Sequence, residues 1–428
     1  MKKIIKKEKL RKKTYISLLF CIFLLAGCSK KSSTSSQNTG KTTEPDRTYN
    51  TGSGTENNTD TAKSSIVNDS HLVSGMKEEK LDLSEYKLEY NVPTDSQQEY
   101  LWTSVTKAEN GYYTWEEGRG RLMYFDIASK SYIPLCNKPN CAHNGESCNA
   151  FFNSNGEGEI GYIRGYIQYY NGYVYIAGYD KKGYVYLYKV SPDGSTCEKY
   201  MTLYKADLSS TKAEGENVKE FRTPKLFIYR GYIYFITGKE SKPKLRRIKL
   251  GEDDTEVVFE NAGSRPSLYR MKAYGDYLFF QSGNFIDDGY IDIDAGIFAL
   301  NINTAKVQMV KKDAISDYAI SDNKLYYTTA TGINCYSLED QKDTEAVNTG
   351  VRGNVAVHGD FIYFFNGNTC KLSQYDSKGK LLNEVTDTGF GACYMGDKDY
   401  FFASGSGTGI LSVKDLSEGM AKWTVLGE

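Results

Sequence analysis

The chain has 428 residues and is nearly neutral, with 53 lysines and arginines against 54 aspartates and glutamates. Eight of the basic residues lie within the first thirteen positions, so the rest of the chain is acidic. Because phosphate binding requires an excess of positive charge, this distribution argues against nucleic acid as a partner.

Residues 1–27 have the pattern of a lipoprotein signal peptide. A basic stretch precedes the apolar run YISLLFCIFLLA, which is too short to span a bilayer core of about 30 Å as a helix. The run ends in Leu-Ala-Gly before Cys28, and this ending resembles the lipobox of bacterial lipoproteins. The resemblance implies that Cys28 carries acyl chains such as palmitate and anchors the protein to the extracellular face of the cell membrane. The alternative is an ordinary signal peptide followed by an incidental cysteine.

Residues 28–75 are rich in Ser, Thr, Lys, Asn and Gly and contain almost no apolar side chains. Such a segment cannot bury enough surface to offset the entropy of ordering it. We therefore expect a disordered tether between the lipidated cysteine and a folded domain that spans residues 76–428.

A short unit recurs seven times in that domain. A turn pair is followed by alternating aromatic and aliphatic residues, as in Asn171-Gly172-Tyr173-Val174-Tyr175-Ile176. The seven copies begin at Asn110, Asn171, Arg230, Gly275, Asp322, Gly359 and Asp397. Each copy has a short apolar strand before it and two further strand patterns after it, which indicates four strands per repeat of about 50 residues.

Four-stranded repeats of this length predict an all-β, seven-bladed β-propeller. A single sheet cannot cover both of its faces, whereas blades stacked around an axis bury them against each other. We expect the tyrosines and phenylalanines of the second strands to pack between blades. The alternative is that some of the 36 tyrosines form an exposed platform for carbohydrate.

Strands of the "GYIYFITG" type followed by hairpins of the "LYKVSPDGS" type resemble the low-density-lipoprotein-receptor-like and TolB-like propellers of bacterial surface lipoproteins of unknown function. The resemblance extends over residues 100 to 428 and implies the fold. It does not imply an activity, because function resides in sites grafted onto the fold.

A cysteine-rich stretch lies between the first and second repeats, with Cys136, Cys141, His143 and Cys148 in a C-x4-C-x-H-x4-C spacing. Three thiols and one imidazole can surround a tetrahedral Zn ion, and four protein ligands would make the site structural. The stretch lacks the usual C-x2-C pair. The alternatives are a disulfide, which is common in secreted proteins, or reduced thiols without a ligand.

The fourth repeat contains an acidic stretch with Asp287, Asp288, Asp292 and Asp294. These carboxylates are a candidate ligand-binding or calcium site at a loop of the propeller. The spacing differs from that of an EF-hand, and the alternative is a solvated acidic loop.

Two functions remain open from the sequence. One is a non-catalytic module, anchored to the membrane by its lipid, that binds an extracellular protein, peptide or glycan. The other is an extracellular glycan-acting hydrolase or lyase that uses acidic residues at the propeller channel. The chain has three histidines and no G-x-S-x-G motif, which favours the binding module.

Overall fold

A computed structural model describes residues 77–83, 105–116, 119–152, 167–180, 182–205, 226–237, 243–261, 266–285, 292–312, 317–386, 390–395, 398–405 and 408–426. Within these ranges the chain forms seven separate four-stranded antiparallel sheets, which are the blades of a seven-bladed propeller. The fold class predicted from the repeats is therefore confirmed. In the same ranges, no helix is both long and apolar enough to cross a membrane.

The strands of each blade follow one another in the chain, from the inner to the outer edge of the sheet. Blade 1 contains β1 (Val105–Lys107), β2 (Gly111–Glu116), β3 (Arg121–Asp126) and β4 (Tyr132–Pro134). Blade 2 contains β5 (Ile167–Tyr170), β6 (Tyr173–Tyr179), β7 (Tyr184–Val190) and β8 (Cys197–Lys205). Blade 3 contains β9 (Leu226–Tyr229), β10 (Tyr232–Thr237), β11 (Lys244–Lys249) and β12 (Thr255–Glu260). Blade 4 contains β13 (Pro266–Tyr274), β14 (Tyr277–Phe285), β15 (Asp292–Asn301) and β16 (Val307–Lys312).

The last three blades follow the same order. Blade 5 contains β17 (Tyr318–Ser321), β18 (Lys324–Thr328), β19 (Gly332–Ser337) and β20 (Asp343–Asn348). Blade 6 contains β21 (Asn354–His358), β22 (Phe361–Asn366), β23 (Lys371–Asp376) and β24 (Leu381–Val385). Blade 7 contains β25 (Phe390–Met395), β26 (Tyr400–Gly405), β27 (Thr408–Ser412) and β28 (Thr424–Val425), with the short helix α1 (Val413–Ser417) before its last strand.

The turn pairs at the start of the repeats form tight hairpins between the first two strands of their blades. Both central residues have positive φ in Asn171–Gly172 (47° and 81°), Arg230–Gly231 (47° and 80°) and Asp322–Asn323 (49° and 57°). Positive φ at both positions defines the type I′ turn, whose twist matches that of the two strands it joins. The turn chemistry in the sequence therefore sets the register of the inner hairpins.

The second strand of each blade buries alternate side chains against its two neighbouring blades. In β6, Val174 and Ile176 face blade 1, whereas Tyr175 and Ala177 face blade 3. One position of this strand faces the following blade in every repeat and is always aromatic. The seven residues are Tyr113, Tyr175, Tyr234, Phe279, Tyr326, Tyr363 and Phe402. The prediction that these aromatic side chains pack between blades is confirmed.

Side-chain packing closes the ring between the last blade and the first. Tyr112 of blade 1 and Phe402 of blade 7 lie 4.8 Å apart between ring centroids, in one apolar cluster with Val105 and Ile410. All four strands of each blade come from consecutive segments, so among the described strands none is exchanged between the two ends of the ring. The closure consequently depends on these apolar contacts and the polar contacts around them.

Tyrosine hydroxyls at the ends of three inner strands bind the backbone of the next blade. Tyr170 accepts a hydrogen bond from Gly231 N–H at 2.8 Å. Tyr229 donates to the carbonyl oxygen of Gly275 at 2.7 Å. The hydroxyl of Tyr274 accepts a hydrogen bond from Asn323 N–H, in the inner hairpin turn of blade 5, at 2.7 Å. The rings fill the apolar interface while the hydroxyls hold polar backbone groups, which accounts for tyrosine in place of phenylalanine at these positions.

A second set of contacts arises two residues earlier on the inner strands. Thr106 Oγ1 accepts a hydrogen bond from Tyr169 N–H at 2.9 Å. The side-chain amide of Gln168 makes two hydrogen bonds of 2.6 Å with the backbone N–H and carbonyl groups of Ile228. Lys272 Nζ donates to the backbone carbonyl oxygen of Tyr318 in blade 5. These polar side chains join inner strands that have no backbone pairing between blades.

Residues 77–83, which we call the docking segment, lie against the outer part of blades 4 and 5. Glu79 N–H donates to the carbonyl oxygen of Met309 in β16 at 2.8 Å. Leu81 is 3% exposed and packs in the apolar cluster shared by the two blades. Tyr277 donates its hydroxyl proton to the carbonyl oxygen of Asp82 at 2.9 Å. The chain is thus fixed to the far side of the ring before its first described strand begins.

The carboxylates of the docking segment face a group of basic side chains. Glu78 Oε1 accepts from Lys312 N–H at 2.9 Å and from Lys311 Nζ at 3.3 Å. Glu79 Oε2 accepts from Lys306 Nζ at 3.3 Å. A buried leucine and charged hydrogen bonds together anchor the segment, because each alone would barely offset the entropy of ordering it.

We expect the Tyr229→Phe substitution to lower the free energy of unfolding by about 1–3 kcal/mol, because it leaves the carbonyl oxygen of Gly275 buried without its donor. The measurement is the transition midpoint in guanidinium chloride. Tyr173→Phe is the matched control, since Tyr173 is 37% exposed and its substitution should cost less than about 0.5 kcal/mol. Equal midpoints for the two variants would show that the hydroxyl contact contributes nothing.

Candidate metal centre

A loop of residues 136–149, which we call the cysteine loop, interrupts the outer strand of blade 1. Leu135 N–H donates to the carbonyl oxygen of Leu122 at 2.9 Å, and Leu122 N–H donates to that of Ala150 at 2.8 Å. In an uninterrupted antiparallel pair, one residue would make both bonds. Leu135 and Ala150 share that position, so the loop leaves the strand and returns to it at the same point.

The cysteine loop brings together all four candidate ligand residues. One ligand atom each from Cys136, Cys141, His143 and Cys148 lies within 4.8 Å of the other three. His143 Nδ1 lies 3.4 Å from Cys148 Sγ. This is the one such cluster of His, Cys, Asp and Glu in the described ranges.

The backbone of the loop folds its side chains inward. Asn140 and His143 have φ values of 57° and 54°, in the left-handed region that asparagine and histidine visit more often than other residues. These two positions turn the chain before Cys141 and at His143. Cys148 is 4% exposed and belongs to the apolar cluster between blades 1 and 2. Of the four candidate ligands, Cys136, Cys141 and His143 are therefore half-buried, whereas Cys148 is buried against the core.

The environment of Cys136 favours its thiolate. Burial raises the pKa of this thiol, but the backbone N–H groups of Lys138 and Asn149 and the thiols of Cys148 and Cys141 outweigh it and lower the pKa. Hydrogen bonds from N–H groups to sulfur are the contacts that stabilise a metal-bound thiolate.

The environment of Cys148 has the opposite effect. Burial, partly opposed by the Ala150 N–H and reinforced by Cys136 and Cys141, raises the pKa of its thiol to about 12. Adjacent thiols cannot all ionise without a compensating cation, because their negative charges repel each other. The charge that the cluster lacks is the one that a divalent metal ion supplies.

The base of the cysteine loop packs against the outer hairpin turn of blade 2. Asn149 Nδ2 donates to the carbonyl oxygens of Gly194 and Ser195 at 2.9 and 2.8 Å. Gly194 has a φ of 71°, and a Cβ atom there would lie 2.4 Å from the carbonyl oxygen of Leu135. Only glycine lets the two backbones approach so closely.

The other predicted site residues lie outside the cysteine loop. Cys28 and the pair Asp287 and Asp288 lie outside the described residues. Asp292 and Asp294 lie at the start of β15, where Asp292 pairs with Phe285. The acidic stretch is therefore partly strand, consistent with its alternation of Asp and Ile. A calcium or ligand role for these aspartates stays a prediction.

The sequence did not predict a charged cluster that the structure forms between the inner strand of blade 4 and Asp317, which precedes the inner strand of blade 5. Arg270 Nε lies 3.4 Å and Lys272 Nζ 3.9 Å from Asp317 Oδ1, and Asp317 Oδ2 accepts from Val355 N–H at 2.9 Å. The cluster links blades 4, 5 and 6. The sequence signal for this cluster was the presence of two basic residues, Arg270 and Lys272, in an otherwise largely apolar inner strand.

No protein-family model matches the sequence, and no curated protein matches it either. Solved structures share similarity with it at low identity. A prolyl endopeptidase structure has 11% identity and a TM-score of 0.45, over 76% of this chain and 48% of that chain. A puromycin hydrolase S511A mutant complexed with PGG has 11% identity and a TM-score of 0.44, over 79% and 56%. Sqt1 of Saccharomyces cerevisiae has 9% identity and a TM-score of 0.38, over 82% and 100%. This chain spans about half the length of the prolyl endopeptidase and puromycin hydrolase chains.

We expect Gly194→Ala to destabilise the protein more than Gly172→Ala. Both glycines have positive φ, which costs any L-residue about 1–2 kcal/mol. Only at Gly194 would the new Cβ meet backbone atoms, and overpacking there should cost about 1–3 kcal/mol more. The measurement is the difference in guanidinium midpoint together with the rate of proteolysis within the cysteine loop. Equal destabilisation would mean that the loop base can move away from the turn.

Proposed function

We propose that this chain is a lipid-anchored propeller on the extracellular face of the cell membrane, where it binds a protein, peptide or glycan without cleaving it. The observation that carries the proposal is a pair of exposed aromatic side chains, Tyr173 and Phe361, at the same end of two blades. The lipid anchor and the tether are proposed from the sequence alone.

Among the residues that the structure describes, the exposed aromatic side chains are Tyr173 and Phe361, each 37% exposed. Both occupy the first position after the inner hairpin turn, in blades 2 and 6. Lys189 Nζ lies 3.9 Å from the ring centroid of Tyr173, which holds this ring in place. In blade 4 the docking segment covers the equivalent Tyr277. Exposed aromatic faces at one end of a rigid ring suit stacking against a sugar or an apolar side chain.

The charged groups of the inner strands support binding over cleavage. As far as the structure describes them, the seven inner strands contain no Asp or Glu. The adjacent Asp317 is buried and holds Arg270, Lys272 and the backbone of blade 6. A carboxylate acting as a general acid or base must exchange a proton with a substrate. Asp317 instead has a structural role.

The docking segment supports the tethered part of the proposal. It follows the predicted tether directly in the chain and is fixed to blades 4 and 5 through Glu79, Leu81 and Asp82. This attachment sets the place on the ring, at blades 4 and 5, where the predicted tether would join the domain.

We expect Cys28→Ser in the full-length chain to abolish labelling by a palmitate analogue and to release the protein from the membrane fraction. A serine hydroxyl cannot accept the diacylglycerol that forms a thioether with cysteine. The matched control is Cys21→Ser, within the apolar signal run, which should keep both properties. Persistent labelling of the Cys28→Ser variant would exclude the anchor.

We expect cells that display the full-length chain to retain envelope glycans or extracellular peptides reversibly, with the mass of the released ligand unchanged. Combined Tyr173→Ala and Phe361→Ala substitutions should weaken this retention about thirtyfold, since each of the two lost stacking contacts costs about 1 kcal/mol. Leu381→Ala with Leu382→Ala is the control, because these side chains are similarly exposed (46% and 40%) on an outer strand. Shortened ligand would favour the glycan-acting alternative, and no retention at all would contradict both functions.

A further inference from the structure

We propose that Cys136, Cys141, His143 and Cys148 bind one zinc ion in a closed structural site that completes the outer strand of blade 1. The inference rests on the geometry of the cysteine loop and goes beyond the proposed binding function. The ligand class is a borderline-soft divalent cation that prefers thiolate and imidazole ligands.

The distances fit tetrahedral zinc. Zinc–sulfur bonds of about 2.3 Å place two tetrahedral sulfur ligands about 3.8 Å apart, and a sulfur and an imidazole nitrogen about 3.6 Å apart. The four ligand atoms lie within 4.8 Å of one another, and His143 Nδ1 lies 3.4 Å from Cys148 Sγ. The widest separation, at most 4.8 Å, would have to shorten by up to about 1 Å around an ion, which side-chain rotation can supply. His143 would bind through Nδ1.

The atoms around the ligands also fit a metal site. Ala150 N–H donates to Cys148 Sγ at 3.3 Å. Metal-bound thiolates in structural zinc sites receive such backbone hydrogen bonds, which hold them in place. The loop therefore already supplies one of the sulfur ligands with a backbone donor.

A disulfide accounts for less of this arrangement. Three sulfur atoms converge with an imidazole, and a bridge between any two of them leaves the third thiol and His143 without a role. Cys197 packs at the edge of the same apolar cluster but is not among the four converging groups. A metal ion uses all four groups. Because four protein ligands fill a tetrahedral shell, the site has no open position for a substrate.

The position of the site indicates what the ion would do. Leu135 and Ala150, at the two ends of the cysteine loop, share one backbone partner on β3. The loop carries no strand pairing of its own that would hold its ends together. An ion bound to Cys136 and Cys148, at those two ends, closes the interrupted strand. Cys148 also packs between blades 1 and 2, so closure stabilises that interface.

The test is the metal content of the full-length chain, purified without chelator or reductant and measured by plasma mass spectrometry. We expect about one zinc per chain, and less than about a tenth of that in Cys141→Ser, because three ligands bind zinc far more weakly than four. The control is Cys335→Ser, a half-buried cysteine of blade 5 outside the cluster, which should keep its zinc.

Two measurements on the unsubstituted chain keep the proposal testable if Cys141→Ser does not fold. A mercurial reagent that binds thiols should release zinc to a coloured chelator, and cobalt(II) exchanged into the protein should show the absorption of a tetrahedral thiolate complex. Absence of zinc, with a mass lowered by about 2 Da per bridge, would overturn the proposal in favour of a disulfide. Absence of zinc with all thiols free and no cobalt spectrum would overturn it as well.

Discussion

The need to bury both faces of every blade governs this structure. A four-stranded sheet with apolar side chains on both sides cannot exist alone in water, so each blade requires a neighbour on either side. The alternation along the second strands meets this need, with Val174 facing one neighbour and Tyr175 the other. The requirement ends only when the last blade meets the first, which Tyr112 and Phe402 accomplish. Ring closure is thus a condition of folding.

The sequence predicted the blades well because their signals are local. Turn pairs such as Asn171–Gly172 and the alternation that follows them fix each hairpin within about ten residues. The contacts between blades were not predictable in the same way. The sequence shows that Tyr229 is aromatic, but the partner of its hydroxyl is a carbonyl of Gly275 in another repeat. Register between repeats depends on the assembled ring, which no local pattern encodes.

The cysteine loop shows the same division. The spacing of Cys136, Cys141, His143 and Cys148 indicated a common site, and the structure brings their ligand atoms together. Nothing in the sequence indicated that the loop divides the outer strand opposite Leu122, or that its base packs against Gly194 of blade 2. Those facts depend on where a neighbouring blade lies. They turn an apparent connector into part of the interface between two blades.

The docking segment has a mechanical consequence. Tension applied along the chain that precedes it reaches blades 4 and 5 before it reaches the seam between blades 7 and 1. Two contacts resist this pull: the buried side chain of Leu81 and the backbone hydrogen bond from Glu79 to β16. Both must break at the same time for the segment to detach. The seam, at which the described residues contribute no exchanged strand, would peel open one contact at a time if it were pulled directly. Attachment at blades 4 and 5 therefore keeps a pull on the preceding chain away from that joint of the ring.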